Sequence, residues 1–399
     1  MAGRPRIVGG VDTHADTMHV AVLTLVGRKL ADQEFPTTGS GYRSAIGFLT
    51  GHGAVEAVGV EGTSSYGAGF TKALITAGMR VIEVNRPNRA ARRRRGKSDP
   101  VDAELAARAV LSGDATSAPK DPAIEAIRAL FNARRSAVKA RTAASNQITS
   151  LQVTAPEPLR AKYRSMKGDS LIAALASSCR PSSSDMIADA VLSALKVLAE
   201  RHHFLTTQAA DLLKQIDVLV SAANPALRAA FGVGPDTAAQ LLITAGANPG
   251  RLRSEPSFAA LCGVAPVQAS SGKTNRHRLS RGGDRGANNA LYRIALVRMS
   301  NQPCTKEYVA RQVAAHRTKA AIIRLLKRAI VREIYRLLTK EVEIPEYRDL
   351  RPSRQAKNIT LTTVANHFEV WPMVISCIER GTRRDDALAI NYRKWLSTA

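Results

Sequence analysis

The sequence predicts an α/β domain followed by an all-α region, and three observations carry that prediction. Residues 7–115 alternate short apolar runs, bounded by glycine, with stretches of helical spacing. Residues 120–220 lose that alternation and become rich in Ala, Leu, Arg and Gln with helical periodicity, and residues 223–345 read as a further helical unit. Residues 346–399 carry two short helical patterns on either side of a turn.

The elements follow in order. Residues 7–11 (Ile-Val-Gly-Gly-Val) form an apolar run that ends at Asp12, and residues 18–25 and 29–35 are the next two strands, separated by a turn at Gly27. Residues 42–50 have helical spacing. Residues 57–61 read as a strand ending at Glu61, residues 66–77 as a helix, and residues 80–84 as a strand again. Ser98-Asp-Pro-Val-Asp-Ala-Glu-Leu opens a further helix, with Asp99 as its cap, Pro100 at the first helical position and Asp102 at the third. This βββαβαβα order resembles the ribonuclease-H-like fold, and residues 1–118 are assigned to it. Residues 119–222 are expected to be long helices, periodic over 124–151 and 185–222, packed as a hairpin or coiled coil. Residues 223–345 form another helical unit. Its Phe231-Gly-Val-Gly-Pro-Asp turn places Pro235 at a helix start and resembles a helix-hairpin-helix turn. Residues 346–399 have helix-turn-helix spacing. Val364, Ala365 and Phe368 face inward from a first helix, Pro372 opens a second, Ile375 and Ile378 pack it, and Gly381 ends it.

Charge narrows the partners. Lys and Arg number 58 against 33 Asp and Glu in 399 residues, a formal charge of +25. That imbalance favours a phosphate backbone as partner. No apolar run reaches the roughly 18 residues that a membrane helix needs. Asp12 interrupts the apolar stretch behind Arg4 and Arg6, so a secretory signal is not expected. The four cysteines lie far apart without a Cys-x-x-Cys pair, which fits a reducing cytoplasm better than a disulfide framework or a zinc site.

Four carboxylates then stand out. Asp12 and Glu61 end strands, and Asp99 and Asp102 lie in the first turn of a helix. Each has a plain reading as a cap or an exposed strand end. Together they can converge on one point, where oxygen ligands suit Mg²⁺ or Mn²⁺. Such ions polarise a phosphodiester and stabilise its attacking and leaving oxygens. The basic run Arg89, Arg92, Arg93, Arg94, Arg95 and Lys97 lies just before Asp99 and reads as a phosphate-binding loop. A second polar stretch, 261–285, packs Ser270, Ser271, Lys273, Arg276, His277, Arg278 and Arg281 between helical segments. It reads either as a loop that contacts DNA phosphates or as the carrier of a serine nucleophile, which needs activation by a base, a metal or a cation. No Gly-x-Ser-x-Gly and no phosphate-binding nucleotide loop is present.

The combination of Val-Gly-Gly-Val-Asp12-Thr-His, Val-Glu61-Gly-Thr-Ser-Ser-Tyr and Lys-Ser-Asp99-Pro-Val-Asp102-Ala with Gly-Val-Gly-Pro and Leu-Cys-Gly-Val-Ala-Pro…Ser-Ser-Gly resembles the DEDD transposases of bacterial insertion sequences, relatives of Piv-type DNA invertases. The resemblance covers about residues 7–340. It implies a RuvC-like domain in which Asp12, Glu61, Asp99 and Asp102 hold Mg²⁺, a coiled-coil region, and a transposase domain. In that domain Ser271 (with Ser270 adjacent) attacks a DNA phosphate and forms a covalent phosphoserine link. It further implies double-stranded donor and target DNA, a structured bridge RNA that pairs with both, a composite site in a dimer or tetramer, and residence at the bacterial nucleoid. Two other functions remain open on the residues alone. One is a metal-dependent junction nuclease with water as nucleophile. The other is a non-catalytic DNA-binding regulator built on the tail.

Overall fold

The computed structural model describes residues 4–84, 98–119, 121–179, 185–246, 252–268, 277–279, 282–381 and 385–398. The chain divides into two compact units, Met1–Glu125 with Gly246–Arg251, and Ala126–Ala245 with Leu252–Ala399.

In the first unit, β1 (Arg6–Thr13), β2 (Thr17–Thr24) and β3 (Lys29–Pro36) make an antiparallel meander. After α1 (Gly39–His52) the chain returns as β4 (Ala54–Glu61), parallel to β1. After α2 (Ala68–Thr76) it adds β5 (Val81–Val84), parallel to β4. The strand order is β3-β2-β1-β4-β5. α3 (Asp99–Leu111) follows.

Period-two patterning sorts β1 onto two faces. Ile7 and Val11 join Val20, Val22, Ala45, Leu49, Phe70 and Leu74 in the core beneath α1 and α2. Val8 packs with Ala21, Leu23, Ala103 and Ala107 on the opposite face, beneath α3. Ala57 joins Ile82, Val84 and Ala106 on that same face. Gly10 and Gly59 let α3 lie close. A Cβ at Gly10 would stand 2.1 Å from the Ala103 carbonyl oxygen, and one at Gly59 would stand 2.7 Å from that of Ala106.

The opening of α3 corrects the reading above by one residue. Ser98 is extended and its carbonyl accepts from the Val101 and Asp102 amides, both at 3.0 Å. Ser98 is therefore the cap, Asp99 the first helical residue and Pro100 the second. Proline is tolerated there because the first-turn N–H groups have no partner inside the helix.

In the second unit, α4 (Pro122–Thr154) and α7 (Met186–Ala223) pack as an antiparallel pair. Ala137 meets Leu205 and Ala209, whereas Ile148, further along α4, clusters with Leu192 and Leu195, further back on α7. The short helices α5 (Glu157–Tyr163) and α6 (Gly168–Ala176) lie between them in sequence and contribute Leu159, Tyr163, Leu171 and Leu175 to that core. Then come α8 (Pro225–Ala229), α9 (Pro235–Ala245), α10 (Glu255–Leu261), a two-stranded antiparallel hairpin of β6 (Pro266–Gln268) and β7 (His277–Leu279), α11 (Arg285–Asn301), α12 (Pro303–Ala314) and α13 (Lys319–Thr339). The hairpin stands where the sequence reading placed only a polar loop, because three-residue strands are too short to show a period.

The tail is a cluster of α14 (Leu350–Ala356), α15 (Leu361–His367), α16 (Pro372–Glu379) and α17 (Asp386–Thr398). Val364, Ala365, Ile375 and Ile378 are buried there with Tyr347, Leu350, Ala389, Tyr392 and Leu396, and Phe368 packs against them. Arg354 donates to both carboxylate oxygens of Glu379 at 2.7 and 3.0 Å, and the Tyr392 hydroxyl donates to Glu379 at 2.8 Å.

Candidate metal centre

Asp12 and Glu61 end neighbouring parallel strands. Val11 pairs with Val60, so the two carboxylates stand one step further along β1 and β4, in the same register. Asp12 lies two residues beyond Gly10, and Glu61 two beyond Gly59. Both therefore emerge on the face that carries α3. The Thr13 hydroxyl donates to the Glu61 carbonyl at 3.0 Å and ties the two strand ends together. The close approach of α3 brings its first turn to the same edge, with Asp99 and Asp102 three residues apart on one side of the helix. Carboxylates in this turn also suit the positive end of the helix dipole.

Among the described residues, the ligand atoms that lie within 4.8 Å of one another come from Asp12, His14 and Asp99. His14 Nε2 is 3.4 Å from Asp12 Oδ2 and 3.3 Å from Asp99 Oδ1. Glu61 and Asp102 do not join that triplet. Asp102 is nevertheless close enough to act on Asp12. Burial pushes the Asp12 carboxyl above its ordinary range, His14 pulls it down, and the charges of Asp102 and Asp99 push it up again. Asp12 is 7 % exposed and Asp102 1 % exposed, while the His14 and Asp99 side chains are close to half exposed. The edge thus has a buried acidic floor and an open acidic and imidazole rim. The neighbouring charges of Asp102 and Asp99 thus disfavour ionisation of Asp12. Carboxylate oxygens gathered at one edge are donors that a hard divalent cation takes, so the residues present fit such an ion.

Sequence reasoning passed over His14. The signal was present, because Asp12 and His14 are two residues apart at the end of a strand and share a face. A histidine already accounted for lies nearby: His19, opposite Asp12 across β1 and β2, is bonded through Nε2 to Asp32 at 2.7 Å.

The basic run Arg92, Arg93, Arg94, Arg95 and Lys97 lies outside the described residues, as do Ser270, Ser271, Lys273, Arg276 and Arg281. Arg278 falls in β7, of which only the backbone is described. The stem of that hairpin is well defined. Gly263 and Gly283 both have positive φ, and a Cβ on Gly283 would meet the Gly263 amide nitrogen at 2.7 Å. The Asn288 side chain donates to the carbonyls of Cys262 and Gly263 at 3.0 and 2.9 Å, and Lys327 donates to the Asn288 amide oxygen at 2.9 Å.

The Gly-Val-Gly-Pro turn is held from two sides. Arg298 donates to the Phe231 carbonyl at 2.9 Å and forms a two-point pair with Glu333, and Asp236 receives both Arg134 and Arg293. Two amides of the turn are engaged within the chain: Val233 N donates to Ala230 O, and Gly234 N donates to the Thr237 hydroxyl.

Two comparisons place the chain. Residues 9–154 match the DEDD transposase model of IS110 type, and residues 224–310 match a model described as the transposase IS116/IS110/IS902 family. The two matches together span more than half of the chain, and the first contains Asp12, His14, Glu61, Asp99 and Asp102. The chain belongs to the DEDD transposase family of IS110-type insertion elements. A similar protein is the insertion element IS110 uncharacterized 43.6 kDa protein of Streptomyces coelicolor, 30% identical over 148 residues. That similarity covers 37% of this chain and 35% of the relative's length, about a third of each. Residues 346–399 lie beyond both family matches.

Proposed function

We propose that the chain is a transposase acting as a site-specific DNA recombinase, which cuts and rejoins strands with Ser271 as nucleophile and Asp12, Glu61, Asp99 and Asp102 as the holders of Mg²⁺ or Mn²⁺. The observation that carries this reading is the single acidic edge: two parallel strand ends and the first turn of α3 present their carboxylates on one face. Family membership supports the reaction class. The strand order β3-β2-β1-β4-β5 is that of a ribonuclease-H-like sheet and supports a RuvC-like assignment for residues 1–118. Residues 119–222 are read as the coiled-coil region, 223–345 as the transposase domain and 346–399 as an appended helix-turn-helix-like module.

A divalent ion at the edge supplies charge neutralisation to a phosphodiester. The chain's own groups do the rest. Asp12 and Asp102 present their carboxylate oxygens at the floor of the edge. Ser271 Oγ forms a bond to phosphorus as the bond from phosphorus to a deoxyribose oxygen breaks, and in the net step the proton given up by the serine hydroxyl ends on that oxygen, which leaves as a hydroxyl. Rejoining is the reverse with a new hydroxyl, so the bond energy stays in the ester and no nucleotide cofactor is needed. Basic residues Arg92, Arg93, Arg94, Arg95, Lys97, Lys273, Arg276, Arg278 and Arg281 neutralise backbone phosphates. A structured guide RNA would set the sequence of donor and target, leaving the protein to read backbone and shape. The outer face of α7 supports self-association. Val197, Phe204 and Val218 are solvent-exposed at heptad intervals, with Phe204 63% exposed.

Trapping tests the reaction. Full-length protein is incubated with element-end DNA and Mg²⁺, denatured, and examined for a protein–DNA adduct. The expected result is an adduct in the parent and none in Ser271→Ala. Cleavage at the parental rate by both Ser271→Ala and Ser270→Ala would refute serine catalysis and leave a junction nuclease. Loss of the adduct in Ser270→Ala alone would move the nucleophile by one residue. A discrete small RNA that copurifies with the protein is the expected sign of guidance.

A further inference from the structure

The acidic edge carries a nitrogen donor that the four-carboxylate pattern omits. We propose that His14 is a direct ligand of the divalent ion at this edge, together with Asp12 and Asp99, and that it biases the site from Mg²⁺ toward a first-row ion such as Mn²⁺. This rests on the reading of Asp12 and Asp99 as ion ligands and deepens it by naming the determinant of metal choice.

Three observations support it. His14 Nε2 stands nearly equidistant from two carboxylate oxygens, at 3.4 and 3.3 Å, belonging to two different elements. Both distances exceed the usual range for a nitrogen-to-oxygen hydrogen bond, about 2.7–3.2 Å. The Asp12, His14 and Asp99 ligand atoms all lie within 4.8 Å of one another, close enough for one ion to gather them. Secondly, the rim is open, since His14 and Asp99 are each close to half exposed. An ion could be reached there by a phosphate oxygen or by water for its remaining positions. Thirdly, His19 on the same face is already bonded to Asp32, so its Nε2 is committed elsewhere.

The chemistry gives the metal bias. Mg²⁺ takes oxygen ligands and keeps several waters, whereas imidazole suits transition ions. A site with two carboxylate oxygens and one imidazole nitrogen should hold Mn²⁺ more tightly than an all-oxygen site of the same charge, with little gain for Mg²⁺.

The test uses full-length protein loaded with Mn²⁺ and pulsed electron paramagnetic resonance, which detects a directly bonded nitrogen by its hyperfine coupling. The parent should show that coupling. Isotopic labelling of histidine nitrogen should change it, with no alteration of the protein. His14→Asn should abolish it and weaken Mn²⁺ by about tenfold or more, while Mg²⁺ affinity, read by competition, changes little. Bound Mn²⁺ without nitrogen coupling in the parent overturns the assignment and leaves the carboxylate reading intact. Coupling that persists in His14→Asn also overturns it. Mn²⁺ binding and coupling that survive Asp12→Ala would place the ion elsewhere and overturn both readings.

Discussion

Replacing Gly10 with alanine perturbs the close approach that brings α3 to the acidic edge. Its new Cβ would stand 2.1 Å from the Ala103 carbonyl oxygen, 2.3 Å from the Ala107 amide nitrogen and 2.8 Å from the Ala107 Cβ. Two of these neighbours are helix backbone and cannot rotate away. Since comfortable separations are about 3.5 Å or more, α3 must retreat by about 1.4 Å. That retreat loosens the packing of Ala103 and Ala107 against Val8, Ala21 and Leu23. Overpacking of this kind costs about 1–3 kcal/mol, against which alanine recovers about 0.5–1 kcal/mol of backbone entropy. Gly47→Ala is the internal control, because that glycine lies in α1 with nothing within 4 Å of its added methyl. It should stabilise by about 0.5–1 kcal/mol. Amide hydrogen exchange on peptides from β1 and α3 reads both effects in the full chain. A net loss of about 1–2 kcal/mol speeds exchange roughly 5- to 30-fold where opening of the whole unit governs it. Mn²⁺ affinity should fall together with protection in Gly10→Ala and not in Gly47→Ala. Parental protection and parental affinity in Gly10→Ala would refute the idea that helix proximity builds the edge.

Other perturbations have equally definite outcomes. Glu379→Ala strands the buried Arg354 guanidinium and removes the acceptor of the Tyr392 hydroxyl, so the tail should lose about 3–5 kcal/mol. Both tryptophans of the chain, Trp371 and Trp395, lie in that tail, and their fluorescence during urea unfolding measures the loss. Asp349 is held below its ordinary 3.8 chiefly by hydrogen bonds from Arg393. A depressed carboxyl stabilises the fold above 3.8 and loses that contribution as pH falls through its lower folded value, so an acid titration of tail fluorescence should flatten in Asp349→Asn. Replacing Arg92, Arg93, Arg94 and Arg95 with alanine should reduce the salt slope of DNA binding by about 0.9 for each phosphate no longer neutralised. An unchanged slope would put the run on a passive face.

Much of this architecture is legible in the residues. β1 and β4 show because each is an apolar run that ends at an acid, and the long helices show because their buried positions repeat over many turns. What escapes sequence reading is local. The cap of α3 is Ser98 rather than Asp99, a distinction that depends on one carbonyl accepting two amides. The β6 and β7 hairpin hides because three residues carry no period. The Arg354, Glu379 and Tyr392 network hides because its members are 25 and 13 residues apart and each looks like a surface residue. His14 escapes for a different reason. A four-carboxylate pattern is complete without it, and only the register of β1 against α3 puts its imidazole between Asp12 and Asp99.

A direct test of the acidic edge is a Mn²⁺ titration, read from the free-ion resonance, of the parent and of Asp12→Ala, Glu61→Ala, Asp99→Ala and Asp102→Ala. The account predicts saturable binding in the parent and a loss of about tenfold or more in each variant with folding retained. Four folded variants that bind Mn²⁺ as the parent does would contradict it.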